Sequence, residues 1–408
     1  MRTIEEVRSV ILAVVRPTGS ETVALGEAVG RVLTEPVVAP HDVPSFANSA
    51  MDGFAVRAED VSSPGAVLEI LEDVAAGQTA SMSVGEGQAT RIMTGAPMPE
   101  GADTVIRVED TSEEDGKVTI ATAPERGKSV RPPGGDVAAG ITVFEAGVRL
   151  TPAHIGTLAT IGVVSPTVGR RPRVAVMSTG DELAGPETEE LDPGMIRDSN
   201  RPMLLALVEE AGSVPIDMGR IPDDADALRA ALGRASAEAD LIVTSGGVSM
   251  GEYDVTKMVL REEADVDFYP VAMKPGKPQG FGTVGGTPFF GLPGNPVSVL
   301  VSFEQFVRPA LLSMQGAHAL LRTRVMGVAG EDLHSDPAKE EFLRVRFLGG
   351  DNPPRVVQTG GQGSHVLSGA ANADAFAVLP RDVARVAEDE PVILELFRAI
   401  ETRTIDDG

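Results

Sequence analysis

The sequence predicts a multidomain chain. Its centre is a doubly wound, parallel-sheet α/β domain. A helical/β unit carrying an inserted β domain precedes it, and a β-barrel-like domain follows. Three observations carry this. From Pro172 to about Met314, short apolar runs alternate with helical patterns, as in a parallel α/β sheet. From Leu68 to Val143 the chain is Gly-rich and β-like, with little helical period. After Leu320 a period-2 alternation returns in about five short runs. The expected boundaries are 1–45 with 138–171, then 46–137, 172–320 and 321–408. A length of 408 residues is too long for one ordinary core.

The elements follow in order. Thr3 and Glu6 have capping-box spacing, and Ile4, Val7, Ile11 and Val14 fall on one helical face. Pro36, Pro40 and Pro44 punctuate the extended chain that follows. In PSFANSAMDGFAVR, Asn48, Ser49, Asp52 and Gly53 form a turn before an apolar run, and taken alone Asp52-Gly53 reads as a hairpin turn. TRIMTGAPMPEGAD is a loop between strand-like runs, RPPGGD ends at Asp136, and TPAHIGTLATIGV reads as a helix. RVAVMST is a buried strand followed by Gly180, Asp181 and Glu182. GPETEELDPG is an acidic connector. RPMLLALVEEAG is a helix with Pro202 near its start and Gly212 beyond its end. Ile216–Arg220 suggests a strand, and Asp223 or Asp224 opens the next helix.

Composition limits the function. Apolar residues make up 42% of the chain and aromatics 4%, with no Trp, so aliphatic side chains and Met fill the cores. The formal charge is −25, which disfavours duplex nucleic acid or an anionic membrane as bulk partner. Absent Cys excludes disulfides, thiolate nucleophiles and Cys-ligated metals. The N-terminus lacks a signal-peptide pattern, and no run of about 18 apolar residues occurs, so the expectation is a cytoplasmic protein without a membrane span.

The stretch Leu241–Ser298 organises the rest. LIVTSGGVSMGEYD, VAMKPGKPQGFG and PFFGLPGNPVS each pair an apolar run with a Gly/Pro/Ser loop. In open α/β sheets such loops at strand carboxyl ends bind ligands. Ser245, Gly246, Gly247, Ser249, Asp254, Lys274, Lys277, Asn295 and Ser298 therefore suggest a site for a polar anion. Gly246 and Gly247 admit close approach of backbone N–H groups, and Asp254 with Glu252 suits a divalent cation brought by that anion. Pro275 and Pro278 stiffen the turn so that both ammonium groups of Lys274 and Lys277 converge on one oxyanion. A solvated loop is the plain alternative, but the chain has only six Lys among 35 basic residues, and two fall here. Asn295 or Gly294 caps a helix with Pro296 near its first position, where an anion site also forms. Asp181 and Glu182 suit a metal held through water. Asp223-Asp224 reads more simply as a helix cap. Arg344 and Arg346 share a strand face and read as a polar surface, and Ser364 with His365 is equally plain. His41, His154, His318 and His334 show no metal spacing. Neither a P-loop nor a G-x-G-x-x-G fingerprint is present.

Together SGGVSMGEYDVTK, KPGKPQGFG, GLPGNPVS, NSAMDGFAVR, TGAPMPEGAD, STGDEL and DSNRPML resemble the molybdopterin molybdotransferases, relatives of the plant molybdenum-insertase domain and the gephyrin E domain. The likeness runs through nearly the whole chain in the same order. It implies a molybdopterin-binding α/β domain and insertion of molybdate into adenylated molybdopterin, with loss of AMP and a requirement for Mg2+. It also implies an elongated homodimer, with the cleft between the α/β domain of one subunit and N-terminal parts of the other. By resemblance the acidic site residues are Asp52, Asp136, Glu182, Asp223 and Asp254, joined by Thr94. Lys274, Lys277, Pro278 and Ser298 match the molybdate loops, and Arg344 and Ser364 complete that pocket. Glu182 and Asp254 are the expected Mg2+ ligands. Transient contact with molybdopterin adenylyltransferase and apo-molybdoenzymes is expected as well. The rival readings are the adenylyltransferase itself and a non-catalytic scaffold.

Overall fold

The computed structural model describes residues 1–247, 255–349 and 353–398. Asp254, Ser249 and Glu252 lie outside them. The first helix, Ile4–Val14, opens on the expected capping box: the Glu6 amide donates to Thr3 Oγ1 at 3.2 Å, and the Thr3 amide donates to the Glu6 carboxylate at 2.8 Å. Ile4, Val7 and Ile11 are buried, but Val14 is 37% exposed. The chain turns extended at Val15, which ends the helix and carries that side chain into the core in place of Val14. This helix packs into the same core as Val174, Val243, Phe306 and Phe342.

The inserted domain is a six-stranded sheet in the order Thr104–Arg107, Gly53–Val56, Gln88–Ile92, Ala66–Val74, Lys117–Ile120, Thr111–Glu114. Asp52-Gly53 is not a hairpin turn. Gly53 begins a strand paired with 88–92 and 104–107, while Asn48–Ser49 pairs with Val130–Arg131. The apolar run FAV is buried on both sides, so it sits inside the sheet rather than beside a turn. Helix Pro152–Thr160 forms as expected.

The central sheet has the order Val214–Ile221, Arg173–Thr179, Leu241–Ser245, Thr287–Leu292, Pro278–Val284, Asp265–Pro270. The first four strands are parallel; Pro278–Val284 is antiparallel to both its neighbours, so Asp265–Pro270 runs with the first four and the sheet is mixed. Alternate residues of one strand feed opposite cores: Val174 and Val176 on one face, Ala175 and Met177 on the other. Burial on both faces explains the continuous apolar runs. The reversal leaves function in register. Pro270 pairs with Pro278, which puts the 271–277 connection at the same edge as the carboxyl ends of the parallel strands.

A helical run from Pro296 to Met314 follows, with a π-helical turn at Phe303–Val307. It is long and apolar enough to cross a membrane, but 89% of it is buried inside the protein. Its polar residues have protein partners: Glu304 pairs with Arg322, and Gln305 donates to Glu395 at 2.5 Å and accepts from Arg8 at 2.9 Å. This is a core helix. The C-terminal domain closes as a ring. Glu340–Phe347, Arg355–Gln358, Arg324–Ala329, Pro391–Leu396 and Ala375–Leu379 pair in turn, and the last returns to the first. Met273–Lys274 from the central domain adds to this barrel as a sixth, parallel strand.

Gly53 has no room for a side chain, since a Cβ there would run into the backbone carbonyl of Ile106. Gly53→Ala is expected to cost about 1–3 kcal/mol by overpacking, because a paired strand cannot yield as a side chain can. Urea unfolding followed by circular dichroism measures it, and an unchanged midpoint would refute the packing argument.

Candidate active site

At the carboxyl edge of the central sheet, three loops meet. Gly246 follows the strand Leu241–Ser245 with φ +94°, and its amide donates to the Leu292 carbonyl at 3.2 Å. A Cβ on Gly246 would lie 2.7 Å from the Thr179 carbonyl oxygen, so only glycine brings this backbone against the neighbouring loop. Gly247 also has positive φ, +67°. Ser245 is 2% exposed, and its Oγ accepts from Asn200 Nδ2 at 2.7 Å. The same Nδ2 donates to the Gly294 carbonyl at 2.6 Å. The loops after 241–245 and 287–292 are thus tied both directly and through Asn200.

The barrel supplies the fourth piece. The Val297 amide, in the first turn of the core helix, donates to the Ser364 carbonyl at 3.0 Å, which brings the Ser298 and Ser364 loops together. Ser298 is buried and Ser364 half-buried. Asn295 occupies the cap position but makes no side-chain capping bond, and Pro296 stands at the start of the helix. Arg344 is not part of a polar sheet face. It is 1% exposed, whereas Arg346 is exposed. Its Nη2 donates to the Gly361 and Gly363 carbonyls at 3.0 and 3.1 Å, and its backbone amide donates to Gln362 Oε1 at 2.9 Å. Burial lowers its pKa from the ordinary guanidinium value, with Glu341 opposing. Arg344 therefore shapes the loop that carries Ser364, and its buried Nε has no partner.

The two lysines part company. Lys274 pairs with Glu341 at 2.8 Å, across the parallel pairing that adds 273–274 to the barrel. Its ammonium is held by a buried carboxylate. Lys277 is exposed, and its carbonyl accepts from the Val271 amide at 2.7 Å. The turn between them rests on the core helix: Gln279 Nε2 donates to the Gly276 carbonyl and to Ser302 Oγ, both at 2.6 Å. Pro278 begins the next strand.

On the acidic side, Glu182 folds over Gly180, where a Cβ would collide with its carboxylate. Asp223 is not the helix cap. Asp224 caps, accepting from the Ala227 amide at 2.8 Å. Asp223 instead faces Asp181: each carboxylate accepts the other's backbone N–H, at 3.4 and 3.2 Å. Asp181, Glu182 and Asp223 are all exposed. No cluster of three or more side chains with metal-holding geometry occurs among the described residues.

Asp52 and Thr94 form a pair in the inserted domain. Asp52 Oδ1 accepts from the Thr94 amide at 2.6 Å and from Thr94 Oγ1 at 2.7 Å. The amide bond first, then the hydroxyl, holds the Asp52 carboxyl below its ordinary range. A cleft of about 610 Å3 in the same domain is lined by Met51, Ile106, Arg107, Pro124 and Lys128 among others. Asp136 is exposed near Val43, whose carbonyl accepts its amide at 2.9 Å. Among the described residues no hydrogen bond or ion pair joins these three side chains to the sheet-edge loops. Sequence reasoning assigned no role to Asn200 or Glu341. DSNRPML flagged the first only as part of a motif, and the partner of Lys274 lies 67 positions away.

Three family models match the chain in order: the MoeA N-terminal region (domain I and II) over residues 2–162, the probable molybdopterin binding domain over 175–313, and the MoeA C-terminal region (domain IV) over 326–397. Molybdopterin molybdenumtransferase 2 of Mycobacterium tuberculosis is 42% identical over 397 residues, covering 95% of this chain and 97% of the relative. The molybdopterin molybdenumtransferase of Haemophilus influenzae is 38% identical, covering 97% of this chain and 99% of the relative. The crystal structure of a molybdopterin biosynthesis moeA protein from Pyrococcus horikoshii OT3 superposes with a TM-score of 0.86 at 30% identity, covering 97% of this chain and all of that one.

Because two hydrogen bonds from Thr94 stabilise ionised Asp52, Thr94→Val is expected to raise the Asp52 pKa by removing the hydroxyl and leaving the amide. The carboxylate then protonates at higher pH than in the parent. Carboxyl 13C NMR titration reads this, and an unmoved or lowered midpoint would contradict it.

Proposed function

The chain belongs to the MoeA family of molybdopterin molybdenumtransferases, and on that footing we propose that it inserts molybdate into adenylated molybdopterin, releasing AMP and completing the molybdenum cofactor. The observation that carries this reading is the Val297–Ser364 hydrogen bond, which gathers the PGNPVS loop and the QGSHV loop over one sheet edge. Matched regions on both sides of the molybdopterin-binding part, and the relatives' names, set the transferase above an adenylyltransferase or a scaffold.

The chain's own groups divide the work. Lys277, with the hydroxyls of Ser298 and Ser364, neutralises and hydrogen-bonds the tetrahedral dianion. Arg344 holds the loop in which Ser364 sits. Gly246 and Gly247 expose backbone that takes the phosphate of the pterin substrate, with Ser245 at its base. Lys274 is tethered to Glu341 and contributes charge from a fixed place. Water adds to phosphorus as the phosphoanhydride P–O bond breaks, releasing AMP and the molybdopterin phosphate; the two dithiolene thiols then form two Mo–S bonds, and their two protons leave with one molybdate oxygen as water, so that molybdenum keeps its oxidation state. No protein nucleophile enters, in keeping with the absence of Cys.

The donor set fits Mg2+. Asp181, Glu182 and Asp223 are oxygen donors on adjoining loops, and Mg2+ keeps several waters and needs few protein ligands. Glu182, with Asp254, would hold it. When bound, the ion offsets the negative charge of the phosphoanhydride.

We further propose a homodimer in which Asp52, Thr94 and Asp136 of one copy complete the sheet-edge site of the other. What supports this is the family resemblance, which implies a cleft shared between two subunits. Substrate hand-over from the adenylyltransferase and delivery to apo-molybdoenzymes are then transient contacts.

The test mixes purified protein, adenylated molybdopterin, Mg2+ and molybdate, and follows AMP release together with activation of an apo-molybdoenzyme. AMP release should depend on molybdate. Lys277→Ala should slow it roughly 10–100-fold, the effect of losing one charge-assisted contact. AMP release independent of molybdate would refute the coupling, and an unimpaired Lys277→Ala would remove Lys277 from the site.

A further inference from the structure

The DSNRPML motif carries a residue whose geometry exceeds a structural role. Asn200 opens the helix Asn200–Glu210, and a buried polar chain fixes its position. Asp198 is 3% exposed; its carboxylate accepts from Ser178 Oγ at 2.5 Å and from the backbone amides of Asn200 and Arg201, both at 3.1 Å. Arg201 bonds Asp198 at 3.3 Å and reaches on to Asp217 at 2.5 Å. The root of Asn200 is thus anchored to the first two strands of the sheet. Its tip spans the next two: one Nδ2 donates to both Ser245 Oγ and the Gly294 carbonyl. The Gly294 oxygen accepts only, so the carboxamide orientation is fixed. The alternative would set two acceptor oxygens against each other. Its Oδ1 is left buried without a partner. The donor side of the carboxamide therefore makes both of its contacts to the two loops.

We propose that Asn200 is a positioning residue of the transfer reaction: its single carboxamide nitrogen sets the spacing between the Ser245-Gly246-Gly247 loop and the Gly294-Asn295 loop. On the reading above, the first loop serves the pterin phosphate and the second leads into the molybdate-binding Ser298. Asn200 then governs how the two substrates are juxtaposed, not how tightly each binds. The residue touches neither through Nδ2, because both hydrogens of that nitrogen are used on protein oxygens. The inference rests on the functional reading for its kinetic consequence, but not for its structural one.

Asn200→Ala and Asn200→Asp test it. Asp keeps the shape and an acceptor but supplies no donor to Gly294. Both variants should bind molybdate alone, and molybdopterin alone, within about threefold of wild type by calorimetry. Both should lose about tenfold to a hundredfold in molybdate-dependent AMP release, the scale expected for a misplaced reacting pair. Hydrogen exchange provides a readout free of activity: amides of 245–247 and 292–297 should lose protection together, while 375–379 in the barrel stays unchanged. A wild-type protein without molybdate-dependent AMP release would sink the functional reading and leave the exchange result to decide the clamp. Unchanged exchange in both loops, or an Asn200→Asp variant with wild-type turnover, would overturn the proposal. So would a loss of turnover matched by equal losses in both separate affinities.

Discussion

One amide-to-carbonyl bond, from Val297 to Ser364, joins the head of the core helix to a loop of the C-terminal barrel. The helix cannot satisfy its own first N–H groups. Here one of them is answered by a different domain. The same helix carries, at its π-helical turn, the buried Glu304 and Gln305 that reach Arg322, Arg8 and Glu395. Three parts of the chain are therefore registered against one rod: the first helix through Arg8, the linker after Met314 through Arg322, and the barrel through Glu395 and Ser364. Extra polar groups turned out of a π turn are costly to bury unless paired, and these are paired. The site at the head of the rod inherits that rigidity.

The electrostatics are local. A chain of formal charge −25 repels oxyanions at long range, but screening confines that field to about 8 Å at physiological salt. Within the site the balance differs. Lys277 is exposed at the sheet edge, Lys274 is neutralised in part by Glu341, and Arg344 is spent on backbone carbonyls. The exposed carboxylates of Asp181, Glu182 and Asp223 stand on the neighbouring loop. The site thus sets one exposed cation beside buried and half-buried hydroxyls, with exposed carboxylates on the neighbouring loop.

Much of the fold was legible because its periods are clean. Alternating strands and helices from 173 to 314, five period-2 runs after 323, and the Thr3–Glu6 capping box are local signals, and the structure repeats them. Non-local choices were not legible. Asp52-Gly53 has the chemistry of a turn, but its neighbours' burial made it a strand start. The antiparallel pair 265–270 and 278–284 carries the same apolar grammar as a parallel strand, and only pairing distinguishes them. Arg344 looked like surface, since alternation with Arg346 cannot reveal that a loop from 361–363 covers one arginine and not the other. The loops at the sheet edge were legible as loops by their glycines and prolines. Glu341 was missed because its significance arises from a partner in another domain, and Asn200 because a single carboxamide in a helix start carries no pattern of its own.

On the proposed function the oxyanion sits where the core helix meets the barrel loop. Tungstate is a near-isosteric, strongly scattering substitute for molybdate, and anomalous diffraction at a tungsten edge locates it without assumption. A peak is expected within hydrogen-bonding reach of Ser298, Ser364 and Lys277. A dominant peak elsewhere, for instance in the cleft beside Arg107 and Lys128 of the inserted domain, would contradict it.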